Sequence, residues 1–140
     1  MNKNRRFSGI IKLYGNIGYK NIANAKIAII GVGGVGSWVA EALARSGLEK
    51  ITLIDKDFVS ESNINRQLPA LSSTLGESKV TVVAKRLQQI NPDISVKLVK
   101  SFVNDSNIIE CIKCRYDWVI DCIDESKIKA TIINYCCKNN

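Results

Sequence analysis

Residues 26–36 read Lys-Ile-Ala-Ile-Ile-Gly-Val-Gly-Gly-Val-Gly: an apolar, strand-like run breaks into four glycines, and a helical pattern comes next. No other feature constrains the chain as much. Without side chains at Gly31, Gly33, Gly34 and Gly36 the backbone can turn sharply and come close to a ligand, and the free N–H groups that open the next helix face negative charge. The arrangement predicts a phosphate cradle, and a nucleotide suits it. A plain strand-to-helix turn is the bland alternative, but four glycines at that boundary would cost backbone entropy without return.

The glycines alone do not choose the chemistry, because nicotinamide and flavin enzymes hold a pyrophosphate on the same kind of turn. The next apolar run, Ile51 to Ile54, ends in Asp55-Lys56-Asp57. Asp55 then stands about where a carboxylate accepts hydrogen bonds from a ribose, and Asp57 is a second cofactor-binding candidate. Asn63, Arg66 and Lys79 tilt the balance toward a triphosphate. Displacement at an α-phosphate spreads charge over oxygens that need guanidinium, ammonium and magnesium nearby. Asp124, just after the apolar run Trp118 to Asp121, is the candidate to hold the magnesium. Each residue also has an ordinary reading: Asp55 as a turn cap, Asn63 as a loop amide, Arg66 and Lys79 as solvated charges, Asp124 as a helix cap.

Periodicity predicts a helical region around Phe7 to Ala23, a strand from Lys26 to Gly31, a helix from Gly34 to Ser46 closed by Gly47, and a strand from Lys50 to Asp55. An irregular stretch carries Asn63 and Arg66 to about Gly76. Val80, Val83, Ala84, Leu87 and Ile90 mark a helix stopped by Pro92. Strands at Ser95–Lys100 and Trp118–Asp121 flank a helix over Asn104–Lys113, and Lys127–Cys137 reads as a last helix. Such alternation predicts an α/β, Rossmann-like, doubly wound and mostly parallel sheet in the order 3-2-1-4, with its crevice between strands one and four.

Taken together, Gly31 to Gly36, Leu53 to Asp57, Asn63 to Gln67, Lys79 and Asp121 to Asp124 resemble the ThiF/MoeB/HesA superfamily, relatives of the ubiquitin-activating enzymes. Within it the nearer resemblance is to the tRNA threonylcarbamoyladenosine dehydratases, carried by Arg6-Phe7-Ser8-Gly9, Leu13-Tyr14-Gly15, Gly36-Ser37-Trp38, Glu41 to Gly47 and Gln89-Ile90-Asn91-Pro92. Gly9 occupies the position of an arginine that, in the sulfur-carrier-activating branch, reaches the partner's ATP. The resemblance implies adenylation of a carboxylate with ATP and magnesium, followed by cyclisation with loss of water. Catalytic roles would fall to Arg66, Lys79 and Asp124, with magnesium on Asp124. Nucleotide contacts would fall to Gly31, Gly33, Gly34, Gly36, Asp55, Asp57, Asn63, Arg66 and Lys79. It also implies tRNA and a sulfur acceptor of a cysteine-desulfurase system as partners, and a homodimer in the full-length family. The family domain normally continues about as far again, so residues 1–140 are expected to be its amino-terminal portion, with the fourth strand an uncovered edge open to pairing.

Twenty Lys and Arg against thirteen Asp and Glu give a formal charge of +7, which attracts polyanions without naming one. The basic start, Met1 to Arg6, leads into no apolar signal core, and no uninterrupted apolar run reaches about 18 residues, so no membrane is implied and the cytoplasm is the expected address. Cysteines 111, 114, 122, 136 and 137 are expected to be reduced thiols. Cys111 and Cys114 have the spacing of half a zinc site, but the chain contains no histidine. Other readings stay open: adenylation of a ubiquitin-like or sulfur-carrier terminus, an inactive or split nucleotide-binding fragment, and a nicotinamide-binding oxidoreductase.

Overall fold

The computed structural model describes residues 3–113 and 115–139; Cys114, and with it the half zinc spacing, lies outside them. Four strands, β1 (Lys26–Ile30), β2 (Lys50–Ile54), β3 (Ser95–Val99) and β4 (Trp118–Asp121), form one fully parallel sheet in the order β3-β2-β1-β4. The order is the one the crossovers predict. Around it lie α1 (Lys3–Arg6), α2 (Ser8–Asn24), α3 (Gly36–Arg45), α4 (Lys79–Ile90), α5 (Ile108–Ile112) and α6 (Ser126–Lys138).

Helices cover both faces. On one, Ala40 and Ala44 of α3 and Val80, Val83 and Leu87 of α4 pack on Ile27, Ile29, Ile51 and Leu53. On the other, Ile108 and Ile112 of α5 and Ile128 and Ile132 of α6 pack on Ile30 and Ile54. Because β1 and β2 are buried from both sides, they read in sequence as continuous apolar runs rather than alternating ones. Thr52 breaks the β2 run, and the Tyr116 hydroxyl hydrogen-bonds to its Oγ1 at 3.1 Å. The outer strands are more exposed; Trp118, on β4, is 68% exposed.

Strand register positions the site. Ile30 sits opposite Ile54 and Asp121, and Ile54 opposite Val99, so the segments after all four strands leave from one edge of the sheet. Such an edge is where doubly wound sheets place ligands.

Two elements differ from the sequence pattern. The helix expected around Phe7–Ala23 is α2, preceded by the short α1 that the pattern does not predict, and α2 is interrupted at Gly15, whose φ of 70° and ψ of 173° are not helical. The helix expected from Asn104 starts only at Ile108. The Asn104 side chain accepts from the N–H groups of Ser106 and Asn107 at 2.9 and 3.1 Å, so a local side-chain turn outcompetes the first helical turn. No helix among the described residues is long and apolar enough to cross a membrane.

One ion cluster locks α3 to α4. Glu41, 7% exposed, accepts from Arg45 at 2.9 and 2.7 Å and from both the Nε and Nη2 of Arg86. The Arg86 hydrogen bond, and after burial's opposing effect that of Arg45, holds the Glu41 carboxyl below its ordinary range. A lowered native pKa means that this stabilisation is present above the ordinary glutamate value of about 4.3 and is lost as pH falls through the native value. Glu41→Gln is expected to cost about 1.5–3 kcal/mol in urea unfolding at about pH 7, with the gap from wild type narrowing at about pH 3. An equal gap at both pH values contradicts the assignment.

Candidate functional site

The glycine segment leaves β1 at the shared edge. Gly31 has a φ of 85°, a left-handed conformation, and a Cβ there would stand 2.9 Å from Ile123 Cγ2. Its N–H donates to the Ile54 carbonyl at 2.8 Å, and the next N–H, of Val32, donates to Asp55 Oδ2 at 2.7 Å. Gly36 is more constrained still: a Cβ there would fall 1.9 Å from the Gly31 carbonyl oxygen. Only glycine lets the start of α3 come down onto the end of β1. The N–H groups of Gly33, Gly34 and Val35 donate to no acceptor among the described residues and stand at the positive end of α3.

Ser37 and Trp38 tie this turn to the segment that carries Arg66. Ser37 Oγ donates to the Gly33 carbonyl at 2.6 Å and accepts from the Leu68 N–H at 3.4 Å. Trp38 Nε1 donates to the Arg66 carbonyl at 3.3 Å. Asn63, buried, accepts the Ser60 N–H at 3.1 Å and so fixes the turn before Arg66. The Arg66 guanidinium donates to the Ser62 carbonyl and Asn65 Oδ1, both at 2.9 Å, and its stem lies over Gly34, 3.5 Å from the position of a Cβ.

Lys79 is the first residue of α4. Its side chain is only 7% exposed, and its Nζ lies 3.0 Å from Asp57 Oδ2. Asp57 in turn donates its N–H to Asp55 Oδ1 at 2.8 Å. A single chain of contacts therefore runs from Val32 through Asp55 and Asp57 to Lys79.

These residues surround a cleft of about 630 Å³, with Asp124 and Glu125 on the wall beyond β4. Asp121, paired with Lys129 at 3.1 Å, accepts the Ile123 N–H at 3.1 Å and sets the turn that carries Asp124. Glu125, not Asp124, takes the cap position of α6. Cys122 borders the cleft; burial, then the charge of Asp121, pushes its thiol up, which suits packing rather than nucleophilic attack. Of the residues the sequence nominates, Gly31, Gly33, Gly34, Asp55, Asp57, Asn63, Arg66, Lys79 and Asp124 all line the cleft. Gly36 does not line it and acts through packing. The cleft also includes Gln67, Lys56 and Phe102, which the sequence alone does not nominate. Lys56 Nζ sits 4.5 Å from the centre of the Phe102 ring. The signals that could have found them are the adjacency of Gln67 to Arg66 and the place of Phe102 just past the third strand.

Known proteins resemble this chain in sequence and fold. The ThiF family matches residues 6–140. The tRNA threonylcarbamoyladenosine dehydratase of Haemophilus influenzae is 46% identical over 138 residues, 99% of this chain and 53% of that protein. The crystal structure of the Escherichia coli tRNA N6-threonylcarbamoyladenosine dehydratase TcdA in complex with ATP aligns with a TM-score of 0.95 at 46% identity, covering 97% of this chain and 56% of that one. The same protein in complex with AMP gives a TM-score of 0.94 at 46% identity, covering 97% and 55%. The chain spans about half the length of the curated relatives it matches.

Because the Gly36–Gly31 approach has no room for a methyl group, Gly36→Ala is expected to cost about 1–3 kcal/mol or more, as forced overpacking does. Thermal unfolding of the variant at a wild-type temperature contradicts this.

Proposed function

The chain belongs to the ThiF family, and we propose that residues 1–140 are the amino-terminal, ATP-binding portion of an enzyme that adenylates a carboxylate. The observation that carries this reading is convergence: the glycine turn, Arg66, Lys79 and Asp124 come from four separate stretches of sequence and line one cleft. On this reading the triphosphate lies over Gly33 and Gly34 and accepts from their N–H groups. A substrate carboxylate oxygen attacks the α-phosphorus and pyrophosphate leaves. Arg66, Lys79 and the backbone N–H groups stabilise charge on the phosphoryl oxygens as it develops. Each Asp55 oxygen already accepts one backbone N–H, and each keeps a lone pair for a ribose hydroxyl. Asp57 holds Lys79 in the cleft.

The donor chemistry fits magnesium. Among the described residues no cluster of three or more His, Cys, Asp or Glu is built to cage a metal. Magnesium is commonly held by one or two carboxylates together with substrate phosphates and water. The cleft is lined by three cations (Lys56, Arg66, Lys79) and four carboxylates (Asp55, Asp57, Asp124, Glu125), which suits a metal-complexed triphosphate better than a bare one. Asp124 would hold the ion, which supplies charge neutralisation on the phosphates.

The proposed substrate is the threonylcarbamoyl group of a tRNA adenosine. After adenylation its own carbamoyl oxygen attacks the activated carbonyl carbon, AMP departs with the former carboxylate oxygen, and a proton is released. The net change in the side chain is loss of water, and no protein nucleophile is needed. The charge of +7 supports a polyanionic partner. A homodimer, a cysteine-desulfurase-system sulfur acceptor as partner and a cytoplasmic address belong to the same proposal and rest on the family alone.

Calorimetry on this chain tests the reading. MgATP is expected to bind, and Arg66→Ala and Lys79→Ala are each expected to weaken it about tenfold to a hundredfold, the loss of one charge-assisted contact. Binding of NADH with no heat from MgATP contradicts it and favours an oxidoreductase.

A further inference from the structure

The positive charge is unevenly placed along the chain. Residues 1–40 hold Lys3, Arg5, Arg6, Lys12, Lys20 and Lys26 and no acidic residue, Glu41 being the first, whereas residues 41–140 set fourteen Lys and Arg against thirteen Asp and Glu. A one-sided excess of this kind is the electrostatic footprint of a polyanionic partner. None of the six cations lines the cleft.

Five of the six lie on α1 and α2. Phe7, 4% exposed, packs against the Tyr19 ring at 5.9 Å, and Arg6 Nη1 donates to the Ile90 carbonyl at 2.6 Å. The Ala23 carbonyl accepts the Glu49 N–H at 3.1 Å, just before β2 begins. These contacts fix the segment to the edge where the strands start, opposite the cleft. Away from them it faces solvent: Arg5, Lys12 and Lys20 are exposed and make no ion pair among the described residues.

The break at Gly15 sets an aromatic ring among these charges. A Cβ on Gly18 would fall 2.8 Å from Tyr14 Cβ, so Tyr14 is seated directly over Gly18 while 58% of it stays exposed. After the break Asn16, Lys20 and Asn24 follow at four-residue steps, all exposed, on one helix face. Cations, amides and a seated, exposed ring with no acid between them suit RNA: phosphates pair with Lys and Arg, and an unstacked base lies on the ring. An isologous contact between two copies would set this positive surface against itself. An acidic protein would match the charge alone.

We infer that the exposed face of α1 and α2, with Arg5, Lys12, Tyr14 and Lys20, docks the body of an RNA substrate at the end of the sheet remote from the cleft. The inference rests on the tRNA reading above and adds where the RNA is held. The reacting nucleoside enters the cleft, and phosphodiester backbone beyond it lies on this surface. A nucleotide reaches one end of the sheet; a macromolecule reaches both.

The experiment measures tRNA binding by fluorescence anisotropy across a salt series, with MgATP calorimetry and thermal unfolding as references. Wild type is compared with the pair Lys12→Gln and Lys20→Gln, with Tyr14→Leu, and with a control pair of equal charge change at exposed positions elsewhere, Lys113→Gln and Lys138→Gln. The first pair is expected to weaken tRNA binding about tenfold and to lower the slope of log affinity against log salt by about 2. Tyr14→Leu is expected to weaken it about fivefold or more with the slope unchanged, the loss of one stacked base. The control pair is expected to stay within about twofold of wild type at physiological salt. All variants are expected to melt and to bind MgATP as wild type does. Four results overturn the inference: wild-type tRNA affinity in the Lys12 and Lys20 pair, equal weakening by the control pair, wild-type affinity in Tyr14→Leu, or poly-glutamate binding as tightly as tRNA, which gives the face to an acidic protein. A wild-type dimer in size-exclusion chromatography that Ile17→Ser converts to monomer also overturns it and gives the face to a second copy. If Tyr14→Leu does not fold, the lysine pair still decides. Absence of tRNA binding by wild type removes the tRNA reading and this surface together, whereas tRNA binding indifferent to these substitutions removes only the surface.

Discussion

The approach of Gly36 to the Gly31 carbonyl oxygen, where a Cβ would fall 1.9 Å away, sets the rest of the site. It brings the start of α3 onto the end of β1, and the connection between them has to be a tight turn. Three N–H groups in that turn then have no acceptor among the described residues and stand at the cleft. Asp55 holds the turn from the neighbouring strand through Val32 N–H at 2.7 Å, so its placement is tied to the β1–β2 register. The anion affinity proposed for this point would be a by-product of backbone packing.

Everything else in the cleft is referenced to that turn by short polar links. Ser37 and Trp38, immediately after Gly36, hold the Arg66–Leu68 segment against it. Asp55 and Asp57 connect it to Lys79 on α4, and the Glu41 cluster locks α4 to α3 from behind. The two cations assigned to the phosphates are therefore held before any ligand arrives, which lowers the reorganisation needed during reaction. Lys79 is the more committed of the two: it is almost fully buried, whereas its partner Asp57 is 56% exposed. A phosphate can take over that pairing while Asp57 returns to water.

Much of this is legible in the sequence because it depends on local or periodic signals. Strand–helix alternation and right-handed crossovers imply the strand order, and that order makes Gly31 and Cys122 neighbours although they are far apart in the chain. Arg66 and Lys79 become meaningful only beside the glycine turn. What stays hidden depends on three-dimensional matching. The tripeptide Gly36-Ser37-Trp38 is visible as a motif, but its bonds to Gly33, Arg66 and Leu68 are not. Gln67 is visible as the end of the Asn63–Gln67 motif, but its burial and unmatched oxygen are not. The local Asn104 turn and the break at Gly15 shorten or interrupt helices that apolar periodicity alone would extend.

The central claim is that the turn after β1 and the two cations form one triphosphate site. Amide NMR of the labelled chain titrated with MgATP tests it most directly. The account predicts that the largest shifts fall on the amides of Gly33, Gly34 and Val35, together with those around Arg66 and Lys79, saturating with a single binding constant. Saturable MgATP binding that leaves the 33–35 amides unmoved, with its shifts elsewhere on the molecule, would contradict it.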